Sequence, residues 1–388
     1  VALGRTAGHG DLLEDFLCHG ILLVSFVAED NSRCGPSLPG SPILSRRQVD
    51  SSNSPIESPP RPIYNEIPPM TDFTITATAT LLAILKIFLV VILAGLLVRR
   101  GILTESMVTA LTKATIVLFL PCLILDKVLT SLSPADFPLW WTLPLASVAM
   151  ALAGLALAFL VFYRDLPEKR SMLAVASMQN AGYLVLPIGA ALYPDRFDEF
   201  ALYVSLFIAG FNPVLWSIGK FLATNGAPRK PDWRGILNPP LVACLSSLAL
   251  VLTGASRLIP KPVLETVELI GEGAVPVATI VLGAMLGGMS IRLRPHLWDA
   301  ARALTVKYGL LPGLTVALLS MTDIGATNPL LARFLVLQSA SAPAVGLILQ
   351  VRAYGGDEQK VGTVMLLSYT ACLVGLPVWL AVWELVAR

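Results

Sequence analysis

The sequence predicts an all-α polytopic membrane protein: ten transmembrane helices in two inverted five-helix repeats, with the fourth and ninth helices broken. Three observations carry this. Apolar runs long enough to cross a hydrocarbon core of about 30 Å recur from residue 77 to the C-terminus. Lysine and arginine gather in alternate loops. Prolines recur at nearly constant offsets between the two halves.

Composition sets the class. Hydrophobic residues make up 55% and charged residues 14%, against about 25% charged in ordinary soluble domains, and the mean hydropathy is +0.72. The net charge of +2 sits in short loops between apolar runs, which gives no footing for nucleic acid. The cysteines (Cys18, Cys34, Cys122, Cys244, Cys372) show neither metal spacing nor a disulfide framework. The histidines (His9, His19, His296) are too far apart in sequence to suggest a metal centre, and nothing implies a cofactor. The spans contain no His/Asp/Glu cluster, nucleophile elbow or phosphate loop, so an enzyme is not expected.

Residues 1–69 differ from the rest. They are rich in proline, serine and asparagine, as in Ser58-Pro59-Pro60-Arg61-Pro62, a composition that favours disorder. The short apolar stretch Gly20–Ala28 cannot span a bilayer but fits a signal-peptide core. The chain begins with Val1, and Met70 stands just ahead of the first span. The favoured reading is a mis-annotated extension before a start at Met70. A disordered tail and a targeting peptide stay open, and residues 70–388 are the transporter-like domain.

The expected spans are 77–98, 106–130, 138–163, 171–193, 199–223, 236–255, 263–289, 301–321, 329–351 and 360–386. Loops after odd-numbered spans, taken with the first two residues of the span that follows, carry thirteen lysines and arginines, beginning with Arg99 and Arg100; those after even-numbered spans carry only Arg196, Arg257 and Lys261. The positive-inside rule therefore places the odd loops in the cytoplasm and both termini outside.

Five spans per half is the odd number an inverted repeat requires. Pro121 and Pro276, in spans two and seven, lie 155 residues apart; Pro187 and Pro343, in spans four and nine, lie 156 apart. Pro144 and Pro312 match more loosely, at 168. Span four reads Ser177-Met178-Gln179-Asn180-Ala181-Gly182-Tyr183-Leu184-Val185-Leu186-Pro187, and span nine reads Gln338-Ser339-Ala340-Ser341-Ala342-Pro343. Each combines amides or hydroxyls, small residues and a proline near the centre of its span. Proline frees a carbonyl one turn back, and a freed backbone group must face protein or a water-filled cavity. Paired breaks are the sequence mark of a binding site, with half-helix N-termini suited to an anion. The bland alternative is a pair of proline kinks whose amides bond neighbouring helices.

At these residues the sequence resembles the auxin efflux carrier family, including its bacterial malonate and malate carriers. Asn180-Ala-Gly-Tyr-Leu-Val-Leu-Pro187 is similar to the family's first crossover, and Ser341-Ala-Pro343-Ala-Val with Ala353-Tyr354-Gly355-Gly356-Asp357 to its second. Phe119-Leu120-Pro121-Cys122-Leu123 and Asn238-Pro239-Pro240 fit its second and sixth spans. The second crossover departs from the family in reading Ser-Ala-Pro where bacterial relatives commonly show Met-Pro-Pro. The resemblance implies that spans four and nine cross at mid-membrane. It also implies a scaffold of spans 1, 2, 6 and 7 that supports a transport unit of spans 3–5 and 8–10. The protein would be a secondary active transporter of a small organic anion, working by alternating access in the plasma membrane, with a bacterial inner membrane the expected one. Homodimers are frequent in this fold.

On this basis the expected substrate-binding residues are Gln179, Asn180, Gly182, Pro187, Gln338, Ser339, Ser341 and Pro343. Lys86 and Glu272 are candidates for complementing an anion or coupling to an ion, because ionisable groups inside spans are functional by default, and Asn212, just before Pro213 in span five, is a third candidate as a residue lining the cavity. Asp126 and Lys127 read as an interfacial pair, and Arg333 as an interface anchor. Two other readings stay open: a sodium-coupled symporter of the bile-acid type, and a non-transporting membrane sensor.

Overall fold

The computed structural model describes residues 73–166, 168–224, 236–289 and 294–387. The expectations for residues 1–69 and for a start at Met70 lie outside them. The described residues belong to one compact unit within Met70–Arg388. Their secondary structure is helical, with a single isolated β-bridge.

Helix α1, Phe73–Arg99, is almost uninterrupted apolar sequence. It stops at Gly101, whose φ of 73° lets Ile102 N–H reach Leu97 O and Gly101 N–H reach Val98 O, the paired closure that a left-handed glycine permits. Next come α2 (Glu105–Ala114), started by the Thr104 side chain, and α3 (Leu120–Ser131), joined by a π turn at Thr115–Phe119. Helix α4 is Thr142–Phe162. The fourth expected span is two short helices, α5 (Arg170–Ser177) and α6 (Val185–Leu192). Helix α7 (Phe197–Val214) runs through a π turn at Leu215–Gly219 into α8 (Lys220–Ala223). Then follow α9 (Pro239–Leu252), α10 (Lys261–Glu272) and α11 (Ala274–Gly287). Helices α12 (Leu297–Thr305) and α13 (Leu311–Leu319) flank a third π turn, Val306–Leu310. After α14 (Ile324–Thr327), the ninth expected span is again split, into α15 (Pro329–Ser339) and α16 (Gly346–Tyr354). Helix α17, Glu358–Val386, closes the bundle.

Six helical stretches among the described residues are long and apolar enough to cross a membrane, and they fall on the first, second, third, fifth, seventh and tenth expected spans. The fourth and ninth are interrupted and the sixth is shorter, while the eighth is one helical run over residues 294–319, continuous through its π turn. The outer surface is itself apolar. On α1, Leu82, Leu89 and Leu93 are exposed while Ile84, Phe88 and Val91 are buried at a four-three spacing, so hydrocarbon suits both faces of the helix.

Each π turn has a proline beside it: Pro121, Pro213 and Pro312. Proline lacks the N–H for the carbonyl four residues back and clashes with it; at Pro121 and Pro312 that carbonyl lies inside the π turn, whose widening relieves both, whereas the turn at Leu215–Gly219 follows Pro213 and has no such account. At Pro312 the freed carbonyl is that of Tyr308, and Trp379 Nε1 of α17 donates to it at 2.6 Å.

Helix α1 packs backbone to backbone against α11. Gly283 and Gly287, four apart, lie against Val91 and Gly95, also four apart. A Cβ on either α11 glycine would overlap the α1 backbone. Small residues at this spacing let two membrane helices approach until their backbones touch. Gly287→Leu is therefore expected to lower the melting temperature of purified protein, at a cost of about 1–3 kcal/mol or more for overpacking. Gly309→Ala is the control: a Cβ there meets nothing within 4 Å, and its midpoint should hardly move.

Candidate functional site

The two breaks meet. Between α5 and α6 the chain is extended at Met178, and Gln179 faces Pro343 in an antiparallel bridge. Asn180 N–H donates to Ala342 O at 2.8 Å, and Ala344 N–H donates to Met178 O at 3.0 Å. Each interrupted helix thus satisfies backbone groups that the other leaves open.

Asn180 does more than bridge. Its Oδ1 accepts from Leu184 N–H at 3.2 Å, one turn before α6 settles, and its Nδ2 donates to the Tyr369 hydroxyl at 2.6 Å. That hydroxyl donates onward to Pro343 O at 2.9 Å. Tyr369, fully buried on α17, therefore ties one break to the other.

Around this frame lies a set of buried polar atoms without partners among the described residues: both amide atoms of Gln179, both of Gln338, and Ser341 Oγ. All three residues are fully buried. Leaving such an atom unmet costs about 1–3 kcal/mol, so their concentration at one place makes this the candidate site. Ser339, by contrast, spends its hydroxyl on Val336 O within its own helix, at 2.8 Å. Gly182 and Pro187 are buried on the α6 side of the break, and a Cβ at Gly182 would touch only Ile208 Cδ1.

The expected ionisable candidates are placed elsewhere. Lys86 is exposed on the outer face of α1, and Glu272 is exposed at the end of α10. Asn212 is half-buried and donates to Asn238 Oδ1 at 3.1 Å, bonding α7 to the cap of α9. Lys127 bridges Asp126 and Asp198, both at 2.7 Å. Arg333 pairs with Glu384 at 2.6 Å as an interhelical tie. At the other end of the bundle Lys169 and Lys360 share the buried Asp299, and Arg302 pairs with Asp165. An apolar groove of about 720 Å³, lined by Leu152, Phe159, Arg170 and Leu222, contains none of the expected site residues.

Two residues at the crossing are not among the sequence expectations. One is Tyr369. The other is Lys307, 1% exposed, whose Nζ donates to Met178 O at 3.3 Å. A cation inside an apolar run is a legible signal, the same one that marks Lys86. Nothing in the run around Tyr369 sets that residue apart.

Residues 79–380 match the family described as Membrane transport protein. The chain belongs to the auxin efflux carrier family. Its members are membrane transporters and not enzymes, and the match with several long apolar helices makes this a multi-pass membrane protein. Among curated proteins, the auxin efflux carrier relatives include PIN-LIKES 3 of Arabidopsis thaliana, 29% identical over 163 residues, which is 39% of this chain and 41% of the relative. PIN-LIKES 4 of the same plant is 28% identical over 167 residues, 39% and 40% of the two chains, and PIN-LIKES 1 is 29% identical over 163 residues, 39% and 34%. The matched stretch thus spans about two fifths or less of these relatives' lengths.

Tyr369→Phe should destabilise the protein by about 1–3 kcal/mol, because it strands Asn180 Nδ2 and Pro343 O together. Ser339→Ala, which removes only a local bond, should leave the thermal midpoint near that of the unaltered protein. Equal midpoints for the two variants would show that the hydroxyl does not join the breaks.

Proposed function

We propose that this member of the auxin efflux carrier family is a secondary active transporter that moves a small organic anion, a malonate- or malate-like carboxylate or an auxin-like acid, across the plasma membrane by alternating access. The observation that carries the reading is the set of unpartnered buried amides and hydroxyl of Gln179, Gln338 and Ser341 at the meeting of two broken helices. Amide N–H groups and a hydroxyl donate readily to a carboxylate. The half-helices α6 and α16 add their own amide ends, which favour negative charge.

In this reading the interrupted fourth and ninth helical stretches, the short sixth and the eighth complete ten spans in two inverted repeats, with the two breaks crossing at mid-membrane. Spans 1, 2, 6 and 7 form the scaffold, and the tight α1–α11 contact at Gly95, Gly283 and Gly287 suits a part that stays rigid. Spans 3–5 and 8–10 carry the substrate. Both termini face outside, the partners are the anion and the bilayer, and two copies form a homodimer. An epitope at the C-terminus should be reached by antibody on intact cells; access only after permeabilisation would overturn that orientation.

The test is uptake or efflux in proteoliposomes with a panel of dicarboxylates, monocarboxylates and indole acids. At least one should move. Gln338→Leu should cut its transport by about tenfold or more, while the thermal midpoint holds or rises, since an apolar replacement removes two unmet buried atoms. A panel in which no compound moves would sink the carrier reading.

A further inference from the structure

Arg170 stands apart from the cations around it. Arg302 pairs with Asp165, and Lys169 reaches Asp299. Arg170 has no carboxylate partner among the described residues. Its Nη2 donates to Thr224 O, and its guanidinium lies over the Phe221 ring, 5.1 Å from the centroid. These contacts hold the side chain in place without neutralising it.

Arg170 is also the polar end of the apolar groove. Among the described residues it is the one charged side chain in the lining; the others, such as Leu155, Leu173 and Leu222, are apolar. The groove opens on the lipid-facing side. Leu152 and Phe159 of α4 are exposed along its edge, and Leu173 of α5 is buried beneath. From Leu152 to the end of α4 at Phe162 the helix rises roughly 15 Å, which is one leaflet of a hydrocarbon core about 30 Å thick. A volume of about 720 Å³ falls in the range of small-molecule sites, roughly 300–1,000 Å³.

Such a lining selects its occupant. A small soluble anion would use the guanidinium and leave the long apolar wall unmatched. A neutral hydrocarbon chain would fit the wall and desolvate a cation without replacing its water. An amphiphile with one anionic head and a long chain meets both. We propose that the groove binds an anionic phospholipid, with an acyl chain lying along α4 and the phosphate on Arg170. The planar guanidinium fork matches phosphate oxygens two at a time. In the orientation proposed above, this end of α4 faces the cytoplasm, whose leaflet holds the anionic lipids. Arg170 is the first residue of α5, the half-helix that ends at the crossing, so the bound lipid braces a broken helix from its far end. The site itself does not depend on the carrier reading.

The experiment follows the thermal midpoint of delipidated protein in detergent. It is titrated with phosphatidylglycerol, with phosphatidylcholine of the same chains, and with inorganic phosphate. Phosphatidylglycerol should act at a concentration about tenfold or more below phosphatidylcholine, the size of a hydrogen bond to a charged group. Phosphate alone should do nothing. Arg170→Gln, which keeps an amide N–H for Thr224 O, should erase the gap between the two lipids. Ala156→Trp, which fills the groove from an exposed position and leaves Arg170 intact, should erase it as well. Equal potency of the two lipids on the unaltered protein, or a rise in midpoint with phosphate alone, would overturn the proposal. So would a phosphatidylglycerol preference that survives either substitution. If Arg170→Gln fails to fold, Ala156→Trp still gives the answer.

Discussion

Two backbone hydrogen bonds, Asn180 to Ala342 and Ala344 to Met178, are what the rest of this structure depends on. An interrupted helix in apolar surroundings leaves carbonyls on one side of the gap and amides on the other, and neither lipid nor an apolar neighbour can satisfy them. One break alone would be expensive. Two breaks laid antiparallel solve the problem for each other over three residues, and the Tyr369 hydroxyl extends the solution to Asn180 and the Pro343 carbonyl. Neither break is tenable without its partner, which explains why the interruptions come as a pair.

The same arithmetic exposes what is left over. Beyond these bonds, buried side-chain atoms without partners among the described residues remain at the breaks: those of Gln179, Gln338 and Ser341, with the Tyr183 hydroxyl. Three residues could be replaced by apolar ones with a gain in stability, and the chain keeps them together at one point. Stability surrendered at one place in a tightly packed interior, with the surrounding core of Leu184, Leu337 and Leu347 fully buried, is what the proposed carrier function would cost.

How much of this was legible in the sequence depended on whether the signal was local. The breaks were: proline, amide and small residues within a few positions announce an interrupted helix, and the structure splits both spans there. The family resemblance, carried by the same residues, was legible too. Lys86 and Lys307 show the limit. Both are single cations in apolar runs, yet one faces outward and the other is buried against Met178. In a soluble helix the hydrophobic face would separate them. Here both faces of a span are apolar, so hydropathy does not report which side is inside. Tyr369 was beyond reach for a different reason: its partners lie 189 and 26 residues away, and its neighbours Ser368 and Thr370 leave it looking like any polar residue of a long helix.

The π turns have a consequence for helical phase. Each residue of an α-helix advances about 100° around the axis, so one extra residue turns everything beyond it by that angle. The face that α13 presents is set by the five residues Val306–Leu310 as much as by α13 itself. A helical wheel drawn straight through residues 297–319 therefore places Pro312 and the rest of α13 about 100° from the face they occupy. Wheel arithmetic is valid only from one π turn to the next, and among the described residues three of the expected spans, the second, fifth and eighth, must each be drawn in two frames.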